Sequence, residues 1–185
     1  MIKEYFPNRL DVEAFAQAGG HLSGHDSLVN YQRLATSTQG LHPDLRVDWQ
    51  LDGEVRAPHG EMVGQVWLWL RAEATFPMTC QRCLHVVDVP LSVAREFRFV
   101  ADEATAEALD DSCEEDLLVL HPEFDVHALI EDELLLALPL APHHDICPTK
   151  VDTVAGEEDF ERGATERPNP FAVLAGLRTG KQGKL

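Results

Sequence analysis

From Arg46 to Asp52 every second residue is apolar. Val47, Trp49 and Leu51 point one way, and Arg46, Asp48, Gln50 and Asp52 the other. A period of two predicts a half-buried strand, here closed by Gly53. After a turn at Pro58-His59-Gly60, the same period predicts a longer strand from Gly64 to Phe76. Val66, Leu68, Leu70, Ala72, Ala74 and Phe76 form one face, and Trp67, Trp69, Arg71, Glu73 and Thr75 the other. A third strand is predicted from about His85 to Val100, with Val87, Val89, Leu91, Val93, Phe97 and Phe99 on its apolar face. The last two strands form a long hairpin over about 64–100.

Helical spacing is found on either side of these strands. Asp11 is placed to cap a short helix with Val12, Phe15 and Ala16 as its stripe, stopped at Gly19-Gly20. Residues 21–44 show no sustained period and are expected to be loops with one short strand near Leu34. Residues 101–116 are acidic and poor in large apolar side chains, which leaves a mobile loop and a short surface helix both open. Leu117-Leu-Val-Leu predicts a short strand. Asp125 caps a predicted helix to about Leu138, with Val126, Leu129, Ile130, Leu134 and Ala137 on one stripe and Pro139 and Pro142 ending it. Its Glu131-Asp132-Glu133 run points in three directions about 100° apart and reads as a solvated face. Residues 143–167 are expected to be largely loop. Asn169 caps a short amphipathic helix whose first turn holds Pro170, with Phe171, Leu174 and Leu177 sharing a face. The expected fold is α+β: a single domain with a central antiparallel β-sheet, a few packed helices and a basic C-terminal helix or tail.

Composition adds little until the charge is divided. The chain has 185 residues, 44% of them hydrophobic and 25% charged, enough to bury a core without metals or disulfides. It has no apolar run of about 18 residues. Its first residues carry no basic segment followed by an apolar one, so the expected location is the cytoplasm. The net charge of −17 comes from 15 Lys and Arg against 32 Asp and Glu. Residues 1–100 are nearly neutral at −3, residues 101–161 carry −18, and residues 162–185 carry +4. The expected organisation is a domain over 1–161, acidic from 101, followed by a basic tail over 162–185. Such a balance repels nucleic acid and anionic membranes as a whole, so any anion must be met locally.

The chemistry-bearing residues are mainly cysteines. Cys80-Gln-Arg-Cys83 falls at the predicted hairpin tip and has the spacing of a zinc knuckle, because a two-residue gap lets both sulfurs reach one tetrahedral ion. One such pair is half a site. His144-Asp-Ile-Cys147 has the same gap and can supply the other half, with His143 or His85 as substitutes, if the loop after the 125–138 helix returns to the tip. Unliganded thiols are the other reading. A redox pair is disfavoured, since that chemistry uses a helix N-terminus in a βαβ setting to activate the first thiol. Cys113, among Asp110, Asp111, Glu114 and Glu115, is a poor nucleophile, because neighbouring carboxylates raise a thiol. No phosphate-binding glycine loop, dinucleotide fingerprint or nucleophile motif is present, so no enzyme reading has residues to carry it. Trp67, Trp69 and Arg71 share a strand face that either stacks on unpaired bases or packs as a second buried layer, and packing is the commoner fate of large aromatics.

Three segments, Cys80-Gln-Arg-Cys-Leu84, Leu129-Ile-Glu-Asp-Glu-Leu-Leu-Leu-Ala-Leu-Pro-Leu-Ala-Pro142 and Arg167-Pro-Asn-Pro-Phe-Ala-Val-Leu-Ala-Gly-Leu177, come in an order and at separations that resemble the YceD family, the large ribosomal RNA subunit accumulation proteins. The resemblance implies a non-enzymatic ribosome-biogenesis factor that supports synthesis, processing or accumulation of large-subunit, 23S-type rRNA, without a membrane or a small-molecule substrate. Many members carry a second cysteine-rich segment after the proline-ended helix, consistent with a four-ligand structural zinc site; this chain departs from that by offering only Cys147 there, with His143 and His144 beside it, which leaves open both a site completed by histidine and a decayed one replaced by core packing. Its partners would be the rRNA or its precursor, contacted directly or indirectly, with Arg82, Arg95, Arg98, Arg167, Asn169, Pro170, Phe171, Arg178, Lys181 and Lys184 as candidate contacts. The acidic 101–161 segment supports an alternative, a protein-binding module or chaperone that shields a basic ribosomal protein.

Overall fold

A computed structural model of the chain describes residues 4–39, 42, 44–57, 64–150 and 171. The chain divides into two units, Met1–Ile146 and Cys147–Leu185. In the second unit the described residues are 147–150 and Phe171, which form neither helix nor strand. The turn expected at 58–60, the helix expected over 169–177 and the boundary expected after residue 161 lie outside the described residues, Phe171 excepted.

The first unit is α+β. Its elements run α1 (Val12–Gln17), β1 (His21–Ser27), a 3₁₀ turn at Leu28–Asn30, α2 (Gln32–Ser37), β2 (Arg46–Arg56), β3 (Gln65–Thr79), β4 (Val86–Val100), α3 (Glu103–Asp110), β5 (Asp116–Val119) and α4 (Val126–Ala137). The five strands lie side by side in chain order. The first four pair antiparallel, with Leu51 opposite Leu70 and Ala72 opposite Val93. β5 joins β4 in parallel, so the sheet is mixed where an antiparallel one was expected. The 101–116 segment folds as α3 with no buried residue, the surface helix of the two readings left open.

One face of the sheet makes the core. Val47, Trp49, Leu51, Leu68, Leu70, Phe76, Val93, Phe97 and Phe99 are buried in one cluster with Phe15 of α1, Leu34 of α2 and Ile130 and Leu134 of α4. Each fully buried side chain of this size contributes about 1.5–3 kcal/mol. The helix starts follow the capping chemistry. Asp11 accepts the Ala14 N–H at 3.0 Å, and Asp125 accepts those of His127 and Ala128 at 2.9 and 3.2 Å.

Several sequence expectations are corrected. Residues 21–27 form the edge strand β1, not a loop, and Leu34 lies in helix α2, not in a strand. β2 passes through Gly53 and continues to Arg56. Glycine is required there because a Cβ would stand 2.5 Å from Phe15 Cδ1. Ala137 is exposed, and Glu131 and Glu133 are buried instead of solvated. Glu131 reaches across to α2, whose preceding residue Tyr31 supplies no side-chain cap. Its carboxylate accepts the N–H groups of Arg33 and Leu34 at 2.7 and 3.2 Å and Arg33 Nε–H at 2.9 Å. It therefore caps a helix 98 residues away in sequence. Burial raises the Glu133 carboxyl, and Arg95 at 3.9 Å opposes that shift.

Candidate metal centre

The β3–β4 hairpin closes between Cys80 and His85. Cys80 N–H donates to His85 C=O at 2.8 Å, and Leu84 N–H donates to Cys80 C=O at 2.9 Å. The turn needs Leu84 at φ 61°, the only positive φ of a non-glycine among the described residues. Holding an L-residue there costs about 1–2 kcal/mol. The turn aims main-chain N–H groups at a sulfur. Burial by itself raises the Cys80 thiol, but the N–H groups of Cys83, His144 and Arg82 and the ring of His144 donate to it and hold it at about 5. These donors favour the thiolate, the form in which cysteine binds a metal.

The condition set by the sequence is met. Gln81 N–H donates to Pro142 C=O at 2.8 Å, so the segment after α4 returns to the hairpin tip. The helix ends at Ala137, and Pro139, with no N–H to donate, cannot continue it. One donor atom each from Cys80, Cys83, His144 and Cys147 then lies within 4.8 Å of the others. Cys83 Sγ stands 3.5 Å from His144 Nδ1. His85 and His143 are turned to other partners, the C=O groups of Cys83 and Ala141 at 2.9 and 3.1 Å. Three thiols and one imidazole in two pairs, each with a two-residue gap, are the donor set of a tetrahedral zinc site. The residues present therefore fit a metal ion. The single Cys147 in the second segment does not leave the set short, because His144 supplies the fourth donor.

The arginines named as contacts sit in different surroundings. Arg82 is exposed on the tip. Arg95 is engaged by Asp116 and Glu133. Arg98 lies opposite Trp67 in the ladder, and its Nε and the indole N–H of Trp67 are buried without hydrogen-bond partners. Among the described residues neither Arg82 nor Arg98 is paired with a carboxylate, whereas Arg56 is held by Glu96 through two 3.0 Å bonds. Trp67 is buried and Trp69 half-buried, and guanidinium groups lie on their rings: Arg56 4.3 Å from the centre of Trp67 and Arg71 3.9 Å from that of Trp69. Arg167, Asn169, Pro170, Arg178, Lys181 and Lys184 lie outside the described residues, and Phe171 is exposed. Sequence reasoning missed Leu84 and Pro142, which shape the tip through a backbone angle and a carbonyl that no side-chain pattern announces.

Comparison with known proteins agrees with the resemblance. The model of a family described as Large ribosomal RNA subunit accumulation protein YceD matches residues 68–178, which include the hairpin, the Cys/His cluster and α4. A Haemophilus influenzae protein named Large ribosomal RNA subunit accumulation protein YceD is 35% identical over 104 residues. The match covers 55% of this chain and 59% of that relative. No solved structure matches the chain. Among the described residues no helix is long and apolar enough to cross a membrane.

Proposed function

The chain belongs to the YceD family of large ribosomal RNA subunit accumulation proteins, and from that premise we propose that it is a ribosome-biogenesis factor that supports large-subunit rRNA by binding, without chemistry of its own. The observation that carries the reading is the family match over residues 68–178. The geometry supports it in two ways. Four protein donors would complete the shell of a tetrahedral zinc ion and leave no open position for a substrate, which is the arrangement of a structural site. The tip that such an ion would brace carries the exposed guanidinium of Arg82. Bracing a loop before it meets RNA lowers the ordering cost of binding.

A chain of net charge −17 cannot hold RNA through its overall field. Contact falls to cations that the fold leaves uncompensated. Arg82 and Arg98 meet that condition within the described residues, and Arg95 does not, because two carboxylates already neutralise it. The cations of the tail, Arg167, Arg178, Lys181 and Lys184, complete the proposed contact set, with Asn169, Pro170 and Phe171 in the same segment.

In-cell crosslinking of the tagged chain followed by sequencing of attached RNA tests this reading. Large-subunit rRNA is expected to be enriched. Arg82→Glu is expected to reduce the enrichment about tenfold, the loss of one charge-assisted hydrogen bond of about 1.5 kcal/mol. Removal of residues 167–185 is expected to reduce it further. Enrichment no greater than that of an unrelated acidic protein would reject direct binding.

A further inference from the structure

The edge of β4 has a partner over only part of its length. β5 pairs with Phe97–Val100 and no further. Along the hairpin, Cys80 N–H bonds to His85 C=O, which fixes the alternation: odd residues of β4 bond back to β3, and even residues direct their main-chain groups away from it. Val100 fits this parity, since its C=O accepts Leu120 N–H on the β5 side at 2.9 Å. The N–H and C=O groups of Val86, Asp88, Ser92 and Ala94, and the C=O of Pro90, therefore face outward with no strand beside them among the described residues. Pro90 stands at an outward position, where a missing N–H breaks no existing ladder bond.

A groove of about 650 Å³ runs along this edge, between it and the segment that follows α4. Val86, Val89, Pro139 and Ile146 give it apolar walls, and Val86 and Ile146 are exposed. Asp88 and Asp145 line it, and no Lys or Arg does. An unpaired strand edge beside an apolar groove is the arrangement used for recognition of extended peptides by strand addition. Charge selects among occupants. RNA is repelled by the two carboxylates, and a second copy of this chain brings another −17. A cationic protein segment is attracted.

We propose that this groove receives an extended segment of a partner protein, with apolar side chains at alternate positions and Lys or Arg between them, which adds to the outward edge of β4 as a new strand. The inference goes beyond the RNA reading and does not rest on it. It gives a place to the basic protein partner that the charge of the chain suggested.

The test uses the full chain and an end-capped eight-residue peptide of alternating valine and lysine, with binding followed by titration calorimetry and by amide NMR. Saturable binding is expected, with shift changes confined to residues 86–94 and 139–146. Asp88→Lys with Asp145→Lys is expected to weaken it at least tenfold, as is glutamate in place of lysine in the peptide. N-methylation of alternate peptide amides leaves the protein untouched and is expected to abolish binding, because a strand needs those donors. The proposal is overturned by no binding at millimolar peptide, by equal binding of the N-methylated peptide, or by shifts centred on residues 101–116. It is equally overturned if an oligouridylate or a second copy of the chain, seen as a concentration-dependent dimer, shifts the residues of the groove. None of these outcomes changes the crosslinking result, so the two readings fail separately.

Discussion

Cys80→Ser with Cys83→Ser is expected to remove zinc from the protein and to loosen the hairpin tip while leaving the sheet folded. Serine keeps an oxygen that can accept the N–H groups now directed at Cys80 Sγ, so packing at this buried position changes little. What is lost is half of the donor set. Wild-type protein prepared without chelators should carry about one zinc per chain by elemental analysis, and the double variant close to none. Small zinc domains unfold outright without metal. Here the main cluster is built by the sheet, α1, α2 and α4 and includes none of the four donors. The expected loss is therefore limited to the binding term, about 4 kcal/mol when free zinc exceeds its dissociation constant a thousandfold. Chelator added to the wild type should lower its melting temperature to that of the variant and speed amide exchange around residues 79–86. A wild type with no zinc and no response to chelator would refute the metal reading, and a Cys80–Cys83 disulfide under air would favour the redox one.

The other large effect lies in the core. Phe15 is fully buried, with Tyr5 edge-on at 5.0 Å and with Gly20 and Gly53 beneath its ring. Phe15→Ala is expected to cost about 3–5 kcal/mol. For a chain of this length that is roughly 2–4 °C in melting temperature per kcal/mol. Gly53→Ala is expected to cost about 1–3 kcal/mol in the wild type, since its Cβ would meet the Phe15 ring. In the Phe15→Ala background most of that cost should vanish, leaving the more distant approach to Ala16 Cα at 3.2 Å. Denaturant unfolding of the four proteins in a double-mutant cycle measures the coupling. Additive losses would show that the ring is not what requires glycine in β2.

This pair of residues shows how far the sequence could be read. The three long strands were legible because their apolar face repeats every two residues, and α1 and α4 because aspartates cap stripes at helical spacing. Gly53 read as a strand end, since nothing local shows that an aromatic ring 38 positions earlier in the chain lies over it. β1 was hidden for a related reason. Its one large apolar residue is Leu22, and its pairing shows only against β2, where Asp52 and Asp48 receive His21 and His25 at 2.7 and 2.5 Å. Glu131 and Glu133 read as solvated because their partners, Arg33 and Arg95, are distant in sequence. The direction of β5 leaves no trace in four residues. At the site, both pairs with two-residue gaps were legible as metal-binding chemistry. That they meet depended on the bond from Gln81 to Pro142, which joins two main chains and so has no side-chain signature.

The proposed role in supporting large-subunit rRNA is tested by the ratio of large- to small-subunit rRNA in cells depleted of this chain. The ratio is expected to fall, to recover when the wild-type chain is restored, and to recover less with Cys80→Ser/Cys83→Ser. An unchanged ratio in depleted cells, under conditions where new ribosomes are being made, would contradict that role.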